Sequence, residues 1–514
     1  MMLREILTGC SYEDAPSDAD MDLDTDIQGM AYDSRNVKQR YLFVAMKGEK
    51  FDGHDFVGDA IRRGAAVIVT EKEMHAGGTC LLVKDSRKAI ACMANNFYER
   101  PSESLTLTGI TGTNGKTTTT YILKSVLESW GKAVGLIGTI RHMIRDTVCP
   151  ALHTTPESLE FHGLLREMLR AGCSHVISEV SSHALAQHRT DYVNFDAAVF
   201  TNLTRDHLDY HHTMDEYFRA KERLFLELLD EEGTSVVNFD DQYGKRLLSR
   251  LRATDRDRHI LTYGVNEEAD ITVRNIRNSF SGLAFTLLFR GHAYDIASSL
   301  MGMPNVYNIL SAAGAAVSLG VPPEAIIDGV AKAGTVTGRF ERIDYGQAFY
   351  CFVDYAHTED ALQRLISTAR EMLAHHGALT GREGHQGGAG SPRIITVFGC
   401  GGDRYRGKRP AMGELAARLS DFVIVTSDNP RTEDPLDIIR DIEGGIAGKN
   451  YLREPDRKKA IQKAVDMAGE GDVVLVAGKG HEDYQEIKGI RFPFSDREVL
   501  KEGIMNKLKI RHAQ

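Results

Sequence analysis

The sequence is sparing with cysteine. Its seven cysteines (Cys10, Cys80, Cys92, Cys149, Cys173, Cys351 and Cys400) are odd in number, scattered, and never spaced as a CxxC pair. They read as reduced thiols of a cytoplasmic protein. No run of about 18 apolar residues occurs, so no membrane-spanning helix is expected. The opening Met-Met-Leu-Arg-Glu-Ile-Leu soon turns acidic through Asp18, Asp20, Asp22, Asp24 and Asp26, which is wrong for a signal peptide. A long basic run is missing as well. The net charge of −10 is spread over the whole length, which argues against a nucleic-acid partner held by phosphate neutralisation. Any phosphate the chain binds must be met locally.

What is present is an ordinary globular composition, with 42% hydrophobic and 26% charged residues, so disordered and fibrous classes are disfavoured. At 514 residues the chain is too long for one core, and the usual domain size suggests roughly three domains. Short apolar β-rich runs (residues 65–69, 105–111, 176–177, 197–200, 394–398, 422–426 and 473–477) alternate with longer helical patterns. That order predicts α/β layers with mostly parallel sheets. The polar, Pro-bearing segment 99–104 marks one boundary and Thr337-Gly338-Arg339 a second, giving domains 1–100, 101–337 and 338–514. Residues His375 to Pro392, rich in Gly and His, read as a surface loop whose bland explanation is a tolerated insertion.

The strongest local signal is Gly109-Ile110-Thr111-Gly112-Thr113-Asn114-Gly115-Lys116-Thr117-Thr118, set between an apolar run and a helical pattern through Tyr121, Leu123, Val126 and Leu127. Strand, glycine loop and helix together form a phosphate cradle. Backbone N–H groups converge, the helix N-terminus adds its positive end, Lys116 supplies a point charge and Thr117 can hold Mg²⁺. Five residues separate Gly109 from Gly115, where the strict Walker spacing has four. Alone, the loop indicates a nucleoside triphosphate and leaves kinases, GTPases and motor ATPases open.

Further motifs follow in order: Thr154-Thr155-Pro156-Glu157, Glu179-Val180-Ser181-Ser182-His183, residues 201–209 (Thr-Asn-Leu-Thr-Arg-Asp-His-Leu-Asp), Tyr217-Phe218-Arg219-Ala220-Lys221, Asn305-Val306-Tyr307-Asn308, Gly338-Arg339-Phe340-Glu341 and Asp354-Tyr355-Ala356-His357. With Gly-Thr-Asn-Gly-Lys-Thr, this ordered set resembles the Mur ligase superfamily, which includes folylpolyglutamate synthetases. The resemblance covers nearly all of the chain. It implies three domains: a small N-terminal α/β domain for a UDP-sugar, a central P-loop ATPase-type domain and a C-terminal Rossmann-like domain. It also implies an ATP-dependent ligase of peptidoglycan synthesis, acting on small molecules as a cytoplasmic protein and expected as a monomer.

Glu179 and His207 each follow an apolar strand, where α/β ligand sites gather. With Thr117 they offer a hard, oxygen-rich Mg²⁺ environment plus one imidazole; a buried ion pair for Glu179 and a surface Asp-His pair for His207 are the plainer readings. Lys221 reads from its neighbours Glu222 and Arg223 as an exposed helix residue. The resemblance implies instead that it is carbamylated and serves the metal. It further implies ATP contacts at Gly112, Thr113, Asn114, Gly115, Lys116, Thr117, Thr118, Asn305, Arg339, Asp354 and His357, with Arg339 as a γ-phosphate clamp. Asn305 and Asn308 read equally well as helix-start residues near Pro304.

Three motifs in the last domain each follow a strand: Gly399-Cys400-Gly401-Gly402-Asp403-Arg404, Ser427-Asp428-Asn429-Pro430-Arg431 and Gly478-Lys479-Gly480-His481-Glu482. Their guanidiniums, carboxylates and amide suit a zwitterion. Arginine pairs carboxylates bidentately, so Arg431 favours an amine substrate with a second carboxylate, such as meso-diaminopimelate, over L-lysine. Pairing of Arg431 with Asp434 or Glu433 is the structural alternative. The Asp-Asn-Pro-Arg run resembles the diaminopimelate-adding members, implying contacts at Arg404, Asp428, Asn429, Pro430, Arg431, Gly478 and Glu482. The acceptor UDP-N-acetylmuramoyl-L-Ala-D-Glu would meet Ser34 in the first domain, where Asp33-Ser34-Arg35 and residues 48–54 resemble the nucleotide-sugar domain. Its peptide end would meet Thr154, Thr155, Ser181, Gln187 and Arg189. Glu359 stands where the family often has Pro, a change expected to alter a helix start rather than chemistry.

Overall fold

The computed structural model describes residues 1–14, 22–48, 51–74, 79–254, 259–266, 268–380 and 391–512. Along it, three sheets form in succession: a five-stranded sheet ending at Thr79–Leu82, an eleven-stranded sheet from Thr106–Thr111 to His292–Ser298, and a six-stranded sheet from Glu341–Arg342 to Val473–Ala477. A separate hairpin, Tyr484–Ile487 with Ile490–Pro493, follows.

Alternation along the central strands sends successive side chains to opposite faces, and both faces are covered. On one face Ile110, Ile177 and Val199 pack with Leu123 and Val126 of helix Lys116–Ser129 and with Val306 and Ile309 of helix Met303–Ser318. On the other, Leu107, Val176, Ala198 and Phe200 meet Phe161, Leu165, Phe218 and Leu224. This double burial is why the strands read as unbroken apolar runs.

Strand Thr106–Thr111 lies between His175–Glu179 and Phe195–Phe200, parallel to both, with Glu179 opposite Ile110 and Phe200 opposite Thr111. The next strand along the chain, Val134–Ile137, lies beyond His175–Glu179, so the sheet grows in both directions from Thr106–Thr111. A crevice opens at the carboxyl ends of strands at such a point. The third sheet repeats the device: Tyr350–Asp354, Val473–Ala477, Ile394–Phe398 and Phe422–Val425 are adjacent and parallel, so the segments after Asp354, Ala477, Phe398 and Val425 share one edge.

Two expectations are corrected. Helix Glu359–Thr380 carries residues 375–380 in regular helix rather than loop, while 381–390 lie outside the described residues, as do Glu49 and Lys50. Cys10 and Cys92 form a disulfide, with Cα atoms 5.8 Å apart, so the cysteines are not all reduced thiols. Their 82-residue separation conceals that helix Leu3–Ile6 packs against helix Ser86–Phe97. The Thr358 hydroxyl accepts the Ala361 N–H at 3.3 Å, so the helix starts at Glu359 on a threonine cap without proline.

Candidate active site

The phosphate loop is shorter than the sequence spacing implies. Gly109 lies inside strand Thr106–Thr111, where a Cβ would come within 3.0 Å of Phe195 and Leu224, so that glycine serves packing and the loop proper begins at Gly112. Gly112 and Gly115 both have positive φ (147° and 89°), and a Cβ on either would strike Thr201 Oγ1 or Asn308 Oδ1. Thr113 N donates to Asn202 O (2.8 Å) and Asn114 N to Asn202 Oδ1 (3.0 Å), so the segment after Phe200 braces the loop.

Lys116 Nζ donates to Gly112 O and Thr113 O, both at 2.9 Å, which folds the ammonium back over its own loop. Lys221, on helix Met214–Leu226, also donates to Gly112 O at 2.9 Å. Its side chain is buried, with Nζ 4.7 Å from the Tyr217 ring centroid, correcting the expectation of an exposed residue. Burial, with Lys116 as the second cause, holds the Lys221 amine well below the usual lysine range; burial lowers Lys116 too. Two lysine amines, that of the buried Lys221 and that of the half-buried Lys116, thus share one carbonyl.

Glu179 is fully buried at the end of its strand. Its carboxylate accepts Thr117 Oγ1 (3.0 Å), Thr139 N (2.8 Å) and Thr139 Oγ1 (2.9 Å). His207 adopts φ 53°, and its ring stands edge-on to His183 with centroids 4.8 Å apart. Asp206 Oδ2 is 3.5 Å from His207 Nε2, so the local Asp-His pairing exists beside the loop rather than in place of it. Among the described residues no group of three or more His, Cys, Asp or Glu could alone hold a metal ion.

The third sheet reaches this loop. Arg339 Nη2 donates to Thr117 Oγ1 at 3.3 Å, its guanidinium lies 4.6 Å from the Tyr355 ring centroid, and its Nε is buried without a partner. Asp354 accepts Phe340 N (2.7 Å) and Ala356 N (2.8 Å) and so shapes the turns carrying Arg339 and His357; burial raises its pKa. His357 Nδ1 is 2.9 Å from Tyr355 O, and burial lowers its pKa. Asn305 Nδ2 donates to Met301 O and Asn308 Nδ2 to Asn305 Oδ1, so the pair does organise the helix start while also facing the loop.

A linked chain runs from the Glu179 strand. Thr155 Oγ1 donates to Glu179 O (2.8 Å), Arg189 Nη1 to Thr155 O (3.0 Å), Arg189 Nη2 to Gln187 Oε1 (2.6 Å) and Gln187 Nε2 to Tyr210 OH (3.2 Å). Ser181 caps the short helix Ser182–Ala186, and Thr154 Oγ1 lies 3.0 Å from Thr139 Oγ1. At the third-sheet edge, Asn429 Nδ2 donates to Glu482 Oε2 (2.8 Å), and Lys479 Nζ reaches both Asn429 Oδ1 (2.9 Å) and Glu482 Oε2 (3.1 Å). Arg431 Nη1 donates to Gly402 O at 2.6 Å and its Nε lies 3.8 Å from Glu486 Oε2; it pairs with neither Asp434 nor Glu433. Arg404 is exposed at the rim.

Most of these residues face one cavity of about 1570 Å³, lined by the loop from Thr113 to Thr118, by Thr154, Thr155, Ser181, Gln187 and Arg189, and by Arg404, Asp428, Asn429, Arg431, Gly478 and Glu482. That exceeds a single small-molecule pocket and leaves room for several substrates. Four of the expected residues do not line it. Gly112 and Lys221 lie beneath the loop, Pro430 turns the backbone, and Ser34 is buried in the first sheet's domain beside Asp59. Sequence reasoning passed over Thr139, Asp360 and Lys479. Thr139 and Lys479 could have been found, since Thr139 follows strand Val134–Ile137 of the central sheet and Lys479 follows strand Val473–Ala477 of the third, each at its own sheet's carboxyl edge; nothing local marks Asp360.

The chain resembles known proteins over nearly its whole length. Residues 26–98 match the model described as Mur ligase family, catalytic domain; residues 110–316 match the Mur ligase middle domain; and 338–480 match the Mur ligase, glutamate ligase domain. The chain is 47% identical over 489 residues, covering 93% of both sequences, to the UDP-N-acetylmuramoyl-L-alanyl-D-glutamate--2,6-diaminopimelate ligase of Solibacter usitatus. It is 44% identical to the enzyme of that name from Caldanaerobacter subterraneus subsp. tengcongensis, covering 93% of this chain and 94% of the relative. A solved structure of a ligase with the same name superposes with TM-score 0.68 at 31% identity over 99% of each chain.

Proposed function

This chain belongs to the Mur ligase family, and on that footing we infer that it is an ATP-dependent ligase joining meso-2,6-diaminopimelate to the D-glutamate of UDP-N-acetylmuramoyl-L-Ala-D-Glu in peptidoglycan synthesis. The observation that carries the reading is the single cavity onto which the phosphate loop, the Thr155–Arg189 chain and the Asn429–Glu482 edge all open. A ligase needs three substrates in one space; a kinase needs two.

In the proposed division of labour, residues 1–100 hold the uridine end through Ser34, 101–337 bind ATP, and 338–514 bind the amine substrate. The D-glutamate carboxylate attacks the γ-phosphorus of ATP, forming an acyl phosphate and releasing ADP. The free amine then attacks the acyl carbon, and the tetrahedral intermediate collapses with loss of phosphate. The protein chiefly positions and neutralises. Lys116 and Arg339 screen the transferring phosphoryl charge, and Arg189 with Thr155 orients the peptide carboxylate. Asp428, Asn429 and Glu482 hold the ammonium groups of diaminopimelate, with Arg404 and Arg431 taking its distal carboxylate.

The donor set fits Mg²⁺: Thr117 and Glu179 are hard oxygen ligands already in mutual contact, and His207 lies on the neighbouring strand's exit. So few protein ligands match an ion that completes its octahedron with water and phosphate oxygens. Bound there, Mg²⁺ would neutralise phosphate charge. Lys221 supports the reading by its awkward placement. Protonated, it would be a second ammonium on the Gly112 carbonyl and would repel Lys116; burial instead favours its neutral amine, the form that carbamylation requires.

ADP release measured with each substrate omitted in turn tests the assignment. Turnover should require the muramyl dipeptide and the amine together, and Lys116→Ala should abolish it. Amine-independent ATP turnover would point to a kinase, and full activity in Lys116→Ala would sink the assignment.

A further inference from the structure

Behind the third-sheet edge lies a charge pair that the reaction does not use. Arg457, at the start of helix Arg457–Met467, and Asp496, at the start of helix Asp496–His512, both have side chains with no solvent exposure. Arg457 Nε and Nη2 donate to Asp496 Oδ1 and Oδ2, each at 2.7 Å. Nη2 also donates to Ala477 O at 2.9 Å, and Nη1 to Ser427 O at 3.4 Å. Those two carbonyls belong to the residues immediately before Gly478 and Asp428. Nη1 is also 3.9 Å from Asp428 Oδ2.

A buried ion pair is a poor source of net stability, because desolvation offsets much of the attraction. What a planar guanidinium provides is geometry: its donors leave in fixed directions, so the groups accepting them are held at fixed separations. Here the accepting groups are Ala477, the last residue of strand Val473–Ala477, and Ser427, two residues past strand Phe422–Val425, so the guanidinium ties together two exits that strand Ile394–Phe398 separates. There is no slack between them, since a Cβ on Gly478 would lie 2.5 Å from Asp428 Oδ2 and 3.8 Å from Arg457 Nη2. Arg457 does not itself line the cavity.

We propose that Arg457 is a positioning residue for the amine substrate: anchored by Asp496, it fixes the spacing between the Asp428–Arg431 segment and the Gly478–Glu482 segment, and it orients the Asp428 carboxylate. The proposal rests on the reading of those two segments as the diaminopimelate site. It separates this part of the cavity from the phosphate loop, whose geometry is set by Asn202, Thr201 and Asn308.

Steady-state kinetics on the full chain, varying each substrate in turn, test it with Arg457→Lys and Asp496→Asn. Lysine keeps the charge and loses the fork; asparagine keeps the shape and loses the anchor's charge. The KM for meso-diaminopimelate should rise by about tenfold or more, equivalent to about 1.4 kcal/mol. The KM values for ATP and for the muramyl dipeptide, and kcat at saturating amine, should stay within about twofold. If Arg457→Lys fails to fold, Asp496→Asn decides alone. An unchanged KM for diaminopimelate, or parallel changes for all three substrates, overturns the proposal. Wild-type ADP release that ignores diaminopimelate would instead overturn the reading beneath it.

Discussion

Asn114, inside the phosphate loop, donates through Nδ2 to Asp360 Oδ2 at 3.1 Å, joining the loop to the first turn of helix Glu359–Thr380. The same carboxylate oxygen accepts Thr204 Oγ1 at 3.1 Å, and Arg364 Nε lies 3.0 Å away. One side chain just past strand Tyr350–Asp354 therefore ties the phosphate loop to the segment that follows Phe200. Asp360→Ala should raise the KM for ATP about fivefold, the worth of roughly 1 kcal/mol of hydrogen bonding, while leaving the KM for the amine unchanged. Initial rates against ATP concentration check this; an unchanged ATP KM would make the contact incidental.

Glu179 accepts three hydrogen bonds from Thr117 and Thr139, so an amide in its place must turn an NH₂ group toward a donor. Glu179→Gln should therefore raise the Mg²⁺ concentration needed for half-maximal ADP release by at least about tenfold and lower stability by roughly 1 to 3 kcal/mol. A Mg²⁺ titration together with urea unfolding reads both. Unaltered Mg²⁺ dependence would remove Glu179 from the metal site.

Much of this was legible in the chain itself. The unbroken apolar runs located the parallel strands, because double-sided burial leaves no polar alternation, and glycine followed by Lys116 and Thr117 located the phosphate loop. What stayed hidden depends on distant segments meeting. The burial of Lys221 needs the helix Met214–Leu226 to lie under Gly112, the placement of Gly109 in a strand needs Phe195 and Leu224 as neighbours, and the Cys10–Cys92 bond needs two helices side by side. Asp360 sits in an ordinary helical first turn and carries no local mark of its partner in the loop.

His162 is fully buried on helix Ser158–Arg170, its Nε2 3.3 Å from Asp191 O and its Nδ1 without a partner. Burial brings its pKa down to about 4. Between its unfolded value near 6.5 and that folded value, the unfolded chain binds the extra proton, so stability falls as pH drops through this window and the penalty is complete below it. His162→Leu should flatten that loss by about 3 kcal/mol at most. Urea midpoints at pH 7 and pH 4 for both proteins measure it; equal pH losses would contradict the assignment.

Arg431 holds the Gly402 carbonyl with Nη1 while its backbone, at φ 52°, accepts the Lys488 N–H and donates to Glu486 O. Removal of the side chain by Arg431→Ala should cost about tenfold to a hundredfold in kcat/KM for meso-diaminopimelate through loss of a charge-assisted pair, with kcat/KM for L-lysine little changed. Competition between the two amines reads the difference, and an equal loss for both would mean that Arg431 acts on backbone shape alone.

The most direct test of the whole account compares meso-diaminopimelate with L-lysine as the amine in ADP release by the unmodified chain, with UDP-N-acetylmuramoyl-L-Ala-D-Glu as acceptor. The arginine-bearing edge at Arg404 and Arg431 should make meso-diaminopimelate the preferred substrate by at least about a hundredfold in kcat/KM. Equal use of the two amines, or preference for L-lysine, would contradict it.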